Sequence, residues 1–348
     1  MPQKTLPHLL KLLTAFLLLS CTGEDSGQAY FFDSDFAYKP APTTHQVSFD
    51  NIYHPRKMRV IGDLLAVDDY QNQVAFHVLK TGEGVELEYH RAEDNVGRGP
   101  GEFQLVDDFI ETDSLIYVYD GGQLKMVSYN KDLTPADDDD IHMRIDGRPV
   151  TMNALPNNRF AAAGLFFRDR FQVFDAAGNI IGNHGEQINI SDDFNPHHLG
   201  TVWYSQSVSH PYEDFIYLFS MNADFIEKYD TEGTLITRVQ GTEFPLPKMR
   251  LETQSGQPWP VDDGGKAAYT WVDADANHIY ALYSGNMRSE ENALYTNKVH
   301  LFNWDLELIE GYELDHRTHM IAADGKGGIY SLTREDEGAL IRYIELGD

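Results

Sequence analysis

The acidic side chains are the first candidates for chemistry in this 348-residue sequence, because two short segments concentrate them. Asp273–Asn277 (DADAN) has the spacing that begins a calcium-binding loop, which needs glycine at its sixth position and glutamate at its twelfth. His278 and Ser284 stand there instead, so we interpret the segment as a turn between strands. The consecutive carboxylates Asp137–Asp140 cannot converge well on one ion, and we interpret them as a solvated loop.

The 14 histidines are the next candidates, as metal ligands or as acid–base groups. The pairs His197/His198 and His316/His319 are the closest in sequence, but residues one or three apart in a strand point to opposite faces. The HExxH and Gly-x-Ser-x-Gly motifs are both missing from the sequence. We therefore predict no catalytic residue, no cofactor and no local metal site. A metal site assembled from distant segments stays open as an alternative.

Aromatic residues make up 12% of the chain, and most are expected to pack in the core. Those that lie near the predicted start of a strand could instead stack on a sugar or another flat ligand. Arg98 is the best single candidate for binding an anion, and an ion pair with Glu102 is its alternative role. The candidate ligand-facing residues are Arg98, Trp203, Tyr204, Tyr269, Trp271 and His319.

Charge and composition exclude several classes of protein. The formal net charge of −28, with 27 Lys and Arg against 55 Asp and Glu, argues against a protein that binds nucleic acid. The single cysteine excludes an intramolecular disulfide, a cysteine-based zinc site and a redox pair. The apolar share of 42% is ordinary for a folded globular protein.

That cysteine, Cys21, follows a leader-like segment. Residues 1–20 combine two lysines with a short apolar run and are predicted to be a signal peptide. Leu18-Leu19-Ser20-Cys21 resembles the lipobox of bacterial lipoproteins, which implies lipid attachment at Cys21 and a membrane anchor; an ordinary signal peptide is the alternative. Residues 21–45 are predicted to be a tether and an extended arm. The acidic pair Glu24 and Asp25 resembles the export tag of Bacteroidetes surface lipoproteins, or is simply part of a linker.

The rest of the chain, residues 46–348, repeats one unit six times. Each unit has a strand ending in a large apolar or aromatic residue, a turn, and a second strand, which in most units ends in an aromatic residue followed by Asp or Asn. The first strands are marked by residues 43 to 63 positions apart: Leu64, Tyr117, Phe160, Tyr217, Tyr280 and Tyr330. This period is typical of propeller blades. We predict an all-β fold, a six-bladed β-propeller with four antiparallel strands per blade, closed by Gln46–Asp50 as the outermost strand of the last blade.

A glycine-rich segment between the first two units is the most specific motif. Its glycines permit a tight crossing from an outer to an inner strand, and its phenylalanine could wedge between blades. The residues are Gly97, Arg98, Gly99, Pro100, Gly101, Glu102 and Phe103. A phosphate-binding loop is disfavoured because neither Lys-Ser/Thr nor a helix pattern follows. With the unit that follows, the segment resembles an NHL-type repeat, and the chain is similar to the six-bladed, TolB-like propeller lipoproteins of Bacteroidetes.

The resemblance implies an architecture more than an activity, because most members of that family have no assigned function. We predict an outer-membrane or cell-surface lipoprotein whose propeller is a binding or scaffold module. Its expected partners are the membrane, through the lipid anchor, and a glycan or another envelope protein. One alternative is a metal-dependent propeller hydrolase or lyase that acts at the channel face, resembling the gluconolactonase-like group. The other is an assembly subunit of an envelope complex.

Overall fold

The computed structural model describes residues 28–32, 36–70, 73–82, 86–241, 244–335 and 338–346. The predicted signal peptide and Cys21 lie outside these residues. Six four-stranded antiparallel sheets surround a central channel, so the predicted six-bladed β-propeller is confirmed. Within the described part of the chain, none of the helices has the length and apolar character needed to cross a membrane.

Three strands precede the first blade: β1 (Gln28–Phe32), β2 (Lys39–Ala41) and β3 (Thr43–Phe49). The strands of every blade are named in order from the channel outwards. Blade 1 contains β4 (Met58–Ile61), β5 (Leu64–Asp68), β6 (Phe76–Thr81) and β7 (Leu87–Glu93). Blade 2 contains β8 (Val106–Glu111), β9 (Ile116–Asp120), β10 (Lys125–Tyr129) and β11 (Ile141–His142). Blade 3 contains β12 (Arg148–Leu155), β13 (Arg159–Leu165), β14 (Asp169–Phe174) and β15 (Ile180–Glu186).

A short helix, α1 (Pro196–Val202), leads into blade 4. Blade 4 contains β16 (Ser205–Ser209), β17 (Phe215–Ser220), β18 (Phe225–Asp230) and β19 (Leu235–Gly241), and a separate hairpin follows, β20 (Met249–Gln254) and β21 (Gln257–Asp262). Blade 5 contains β22 (Tyr269–Ala274), β23 (Ile279–Tyr283), β24 (Thr296–Phe302) and β25 (Leu308–Thr318). Blade 6 contains β26 (Met320–Ala323), β27 (Gly328–Glu335), β28 (Gly338–Glu345) and, outermost, β3.

The repeat pattern corresponds to fixed places in these blades. The six residues that mark the units, from Leu64 to Tyr330, all lie on the second strand of a blade. The aromatic residue before Asp or Asn ends the third strand in blades 2, 3 and 5 and lies one position before its end in blade 4, and the acid or amide opens the turn to the fourth strand. At Asp175, for example, the carboxylate accepts the backbone N–H groups of Ala177 and Asn179, and Gly178 supplies the positive φ of 78° that the turn needs.

The innermost strands contact one another in the order β4, β8, β12, β16, β22, β26 and back to β4, which closes the ring. At the outer edge of blade 6, β3 pairs antiparallel with β28, with Val47 opposite Ile341 and Phe49 opposite Ala339. The predicted closure is therefore confirmed; the strand begins at Thr43 and ends at Phe49. Strands β1 and β2 add in parallel to the outer edges of blades 4 and 5, next to β19 and β25.

The glycine-rich segment lies between β7 and β8. Phe103 is fully buried between blades 1 and 2, with its ring centroid 6.2 Å from that of Phe76 and 6.4 Å from that of Tyr129. The Glu102 carboxylate turns back onto the loop and accepts the Gly99 N–H at 2.7 Å. Gly101 has a positive φ of 69°. These contacts assign the motif a structural role in linking the two blades.

Asp140 departs from the expectation of a solvated loop. Its carboxylate is 2.7 Å from the ammonium group of Lys125, a lysine that is 2% exposed, and it also accepts the Gly101 N–H. Lys125 in turn donates to the Gly99 carbonyl at 2.9 Å. A buried ammonium group needs a counter-charge, and Asp140 supplies it. Asp137, Asp138 and Asp139 are exposed, as predicted.

Replacing Gly97 by alanine is expected to lower the free energy of unfolding by about 1–3 kcal/mol. A Cβ at Gly97 would lie 2.0 Å from Oε2 of Glu102 and would push the carboxylate away from the Gly99 N–H. In a Glu102→Ala background that obstacle is gone, so the same substitution should cost less than about 1 kcal/mol. Urea unfolding of the four proteins measures both costs. Equal costs in the two backgrounds would contradict this account.

Candidate functional site

Two cationic side chains from the start of blade 1 cross the channel. Lys57 and Arg59 are two residues apart, so they leave the strand on the same side. The Arg59 guanidinium is 2.6 Å from Oδ1 of Asp273 in blade 5. The Lys57 ammonium lies 3.7 Å from Oδ2 of Asp108 in blade 2 and donates to the Val150 carbonyl of blade 3 at 3.0 Å. These contacts connect blades that are far apart in sequence.

Each of the two cations that cross the channel faces a carboxylate. Burial raises the pKa of Asp273, and the Arg59 guanidinium opposes that rise. The pKa of Arg59 is itself raised, chiefly by Asp273. The second carboxylate oxygen of Asp273 accepts the Ala323 N–H of blade 6 at 2.9 Å. The Lys57 ammonium also lies 4.8 Å from the ring centre of Trp271, a cation–π contact.

Small polar groups cover the wall opposite these cations. The Ser207 hydroxyl is 2.6 Å from the Thr151 hydroxyl and accepts an N–H of Asn153 at 2.7 Å. Asp108 accepts the Met152 N–H at 2.8 Å. Among the described residues, no group of three or more His, Cys, Asp or Glu side chains is arranged to hold a metal ion. The two channel carboxylates, Asp108 and Asp273, are instead each placed against a cationic side chain.

A cavity of about 750 Å³ opens where the inner strands end, and we call it the exit cavity. Arg59 lies at its base. Tyr212, which is 75% exposed, and the half-buried Trp304 form an aromatic rim. The Trp304 indole is held by the His210 ring, 4.7 Å away between centroids, and donates to the Ala276 carbonyl at 3.2 Å. The polar side chains of the wall are Thr112, Asp113, Asn153, Asn157, Asn158, Ser209 and Asp275.

We call the opposite end of the channel, where the inner strands begin, the entry face. Tyr204 lies immediately before β16 and is half-buried. Burial raises its pKa; Arg148 and Arg288 lower it and Asp107 raises it, so all three charged groups lie within electrostatic range of the phenol. His319 lies immediately before β26, and burial lowers its pKa to about 4. Both of these sequence-predicted residues are thus at the same end of the channel.

The other predicted ligand-facing residues are more dispersed. Trp203 and Tyr269 are buried and unavailable to a ligand, which corrects the expectation for both. The Trp203 indole donates to the Ile188 carbonyl at 2.7 Å, and the Tyr269 hydroxyl donates to Asp224 at 3.0 Å. Trp271 is half-buried beside Lys57. Arg98 is exposed, and its guanidinium lies against the side-chain amide of Gln104 rather than in the channel.

Sequence reasoning missed the channel residues themselves. Lys57 and Arg59 alternate with the apolar Met58 and Val60, a pattern that could have indicated one polar face on a core strand. The sequence pattern places Asp273 in a turn, but the turn begins at Asp275, whose carboxylate accepts the N–H groups of Asn277 and His278. Asp273 is the fifth residue of β22.

Six four-stranded sheets around a channel, with charged and aromatic residues at its two ends, define a six-bladed β-propeller. Residues 35–326 match the family model described as TolB-like 6-blade propeller-like, and the chain belongs to this family, as the motif resemblance predicted. No curated protein matches the chain.

Two solved structures are similar to this chain. A member of the DUF4221 family from Bacteroides vulgatus superposes with a TM-score of 0.54 at 10% identity, covering 88% of this chain and 98% of that one. A protein from Bacteroides fragilis that is described as exported gives a TM-score of 0.49 at 9% identity, covering 92% and 99%. At such low identity the likeness concerns the fold alone.

Proposed function

We propose that this protein is a lipid-anchored envelope binding protein whose propeller takes its ligand in the exit cavity. The observation that carries the proposal is the cavity itself. Its volume of about 750 Å³ suits a small or medium-sized ligand, it has an aromatic rim and polar walls, and Arg59 closes its base. The rigid ring of blades holds these groups in place before a ligand arrives, which reduces the entropic cost of binding.

The lining favours a polyhydroxylated ligand such as a neutral glycan. The aromatic rings of Tyr212 and Trp304 offer faces for the C–H surface of a sugar, and the amides of Asn157 and Asn158 offer donors and acceptors for hydroxyl groups. The cations of the cavity are already paired: Lys131 is 2.8 Å from Glu111, and Arg59 is held by Asp273. The remaining charged side chains of the wall, Asp113 and Asp275, are carboxylates, so an anionic ligand is disfavoured.

Binding is favoured over metal-dependent catalysis because of the channel carboxylates. A hydrolase or lyase on the channel axis would need several free carboxylates or histidines that converge on a cation. Asp273 and Asp108 already face Arg59 and Lys57, whose positive charges occupy the place that a metal would need. A cation beside these side chains would be repelled.

Tyr212→Ala is expected to weaken binding of a neutral oligosaccharide at least tenfold, because it removes the most exposed ring of the rim. Ligands are identified by screening an array of neutral oligosaccharides, and their affinity is measured by titration of the intrinsic fluorescence, to which Trp304 contributes. Tyr53→Ala, at a tyrosine that is 48% exposed and lies outside the cavity, is the matched control and should bind normally. Failure of the unmodified protein to bind, or equal affinities of the three proteins, would overturn the proposal.

The envelope location rests on the amino-terminal residues of the sequence. Cys21→Ala is expected to abolish incorporation of radiolabelled palmitate into the protein and to release it from the membrane fraction, because Cys21 is the only thiol and follows a lipobox-like sequence. The melting temperature of the purified variant should equal that of the delipidated protein, since the predicted propeller begins at residue 46. Palmitate labelling that persists in the variant would contradict the anchor.

A further inference from the structure

One chemically active side chain lies at the entry face for each of the six blades. Five of them stand immediately before the inner strand or in its first two positions, and Arg288 takes the corresponding place in blade 5. In blade order they are Lys57, Asp107, Arg148, Tyr204, Arg288 and His319. Three of the six are cationic and only Asp107 is acidic. This composition is the reverse of that of the whole chain, whose formal charge is −28.

Arg288 reaches this ring through the loop between β23 and β24. The loop pairs with the segment that leads into β22: the Arg288 N–H donates to the Gly265 carbonyl at 3.0 Å, and the Ala267 N–H donates to the Asn286 carbonyl at 2.9 Å. On the side toward blade 6, Tyr295 of the same loop packs against His319, with 4.8 Å between ring centroids. The loop therefore holds Arg288 between blades 4 and 6.

Two of the ring charges are already neutralised. Asp107 pairs with Arg56 at 3.4 Å, and Lys57 faces Asp108 at 3.7 Å. Arg148 is exposed and makes no ion pair with the described residues. Arg288 is half-buried, and within the same part of the chain its Nη1 atom is buried without a hydrogen-bond partner. Two guanidinium groups, one on each side of Tyr204, thus remain available to an incoming anion.

Buried polar atoms of this ring that lack a hydrogen-bond partner lower the stability of the folded protein when no ligand is bound. A buried N–H donor without an acceptor loses its hydration and gains nothing in return, and a charged donor loses more than a neutral one. Burial lowers the pKa of Arg288, although Asp262 and Tyr204 act against that shift. Nδ1 of His319 is also buried without a partner among the residues described. An oxygen acceptor placed beside Nη1 of Arg288 would recover that loss, whereas Nδ1 of the neutral His319 ring, whose other nitrogen bonds to the Pro55 carbonyl, would first have to take up a proton.

We propose that Arg148, Tyr204 and Arg288, with His319 at the edge, form a second ligand site that binds an oxyanion group, a carboxylate or a phosphate. Planar guanidinium groups present paired N–H donors to such oxygens, and a tyrosine hydroxyl adds a neutral donor. The site is distinct from the exit cavity, because Lys57 and Arg59 cross the channel between the two. The proposal does not depend on the glycan-binding function.

The direct test is calorimetric titration of the purified propeller with inorganic phosphate and with acetate, at constant ionic strength. Saturable binding of one anion per chain is expected, and comparing the two anions shows which oxyanion the site prefers. Arg288→Met and Arg148→Met should each weaken binding at least tenfold, and Arg288→Lys should weaken it less than Arg288→Met. The exposed Arg144, which lies next to β11 on the outer edge of blade 2, provides the matched control, Arg144→Met.

The pKa of the His319 imidazole, measured by nuclear magnetic resonance, is a second readout. A purely structural role of Arg148 and Arg288 would leave it unchanged on addition of the anion. A bound anion beside His319 should raise the pKa of its imidazole, which otherwise lies near 4. The exit-cavity variant Tyr212→Ala should bind the anion normally, so failure of either proposal can be recognised separately. The proposal is overturned if neither anion binds saturably, or if Arg148→Met and Arg288→Met both bind as tightly as Arg144→Met.

Discussion

Replacing Arg59 by methionine is expected to lower the free energy of unfolding by about 3–5 kcal/mol at neutral pH, the usual cost of leaving one member of a buried ion pair alone. The Asp273 side chain is 5% exposed, and its carboxylate is 2.6 Å from the Arg59 guanidinium. Methionine keeps an apolar side chain but removes the charge, so the carboxylate stays in the channel wall without its counter-charge. Denaturant unfolding measures the loss, and the exposed Arg144→Met serves as the control with little expected change.

The size of this loss should depend on pH in a direction set by Asp273. Burial already raises the pKa of Asp273 and Arg59 opposes the rise, so removing Arg59 raises the pKa further. A carboxyl group whose pKa is higher in the folded than in the unfolded chain binds more protons when folded. Its cost is therefore absent at low pH, grows as the pH rises above the unfolded-state pKa, and is complete above the folded-state pKa. The deficit of Arg59→Met should be largest near pH 7 and should shrink toward pH 4.

The double variant Arg59→Met/Asp273→Asn separates the loss of the charge pair from the loss of packing. Asparagine keeps an oxygen that can accept the Ala323 N–H but carries no charge to strand in the channel wall. The double variant should therefore be more stable than Arg59→Met alone at pH 7, and its stability should vary less with pH. A deficit that is the same at pH 4 and pH 7, or a double variant no more stable than the single one, would contradict the role of the ion pair.

The fold could be predicted because the sequence patterns that define each blade lie within that blade. The residues that mark each unit lie on second strands, and the turns after the third strands of blades 2 to 5 open with an acid or amide, so most blades carry their own pattern. Ring closure was predictable for a related reason: a propeller leaves no exposed strand edge at the blade where the ring closes. The edge of β28 has to be covered, and β3 covers it.

The channel could not be predicted in the same way, because its contacts join distant residues. Arg59 and Asp273 are 214 positions apart, and no spacing rule connects them. A local irregularity in β22 explains why the prediction for its two aromatic residues was partly wrong. The register of β22 against β23 shifts between Tyr269 and Trp271, so the two rings do not share a face: Tyr269 is in the core and Trp271 is beside Lys57. Two aromatic residues at alternating positions would otherwise be expected to point the same way.

Deleting residues 46–50 is expected to lower the melting temperature by about 10 °C or more, because it removes most of the strand that closes the ring. Strand β3 pairs with β28 from Thr43 to Phe49, and Phe49 is buried against blade 6. The deletion leaves the backbone of β28 as an unpaired edge and opens the apolar core of that blade to water. Calorimetry measures the stability, and limited proteolysis should cut first within residues 338–346.

The amino-terminal strand β1 provides the matched control for this deletion. It adds in parallel to β19 as a fifth strand of blade 4, so removing residues 28–32 leaves that blade with its four strands. That deletion should change the melting temperature by only a few degrees. A synthetic peptide of residues 43–50, added to the protein that lacks residues 46–50, should restore part of the lost stability, because it can pair with the free edge of β28. Equal losses for the two deletions would mean that closure by β3 does not determine the stability of the ring.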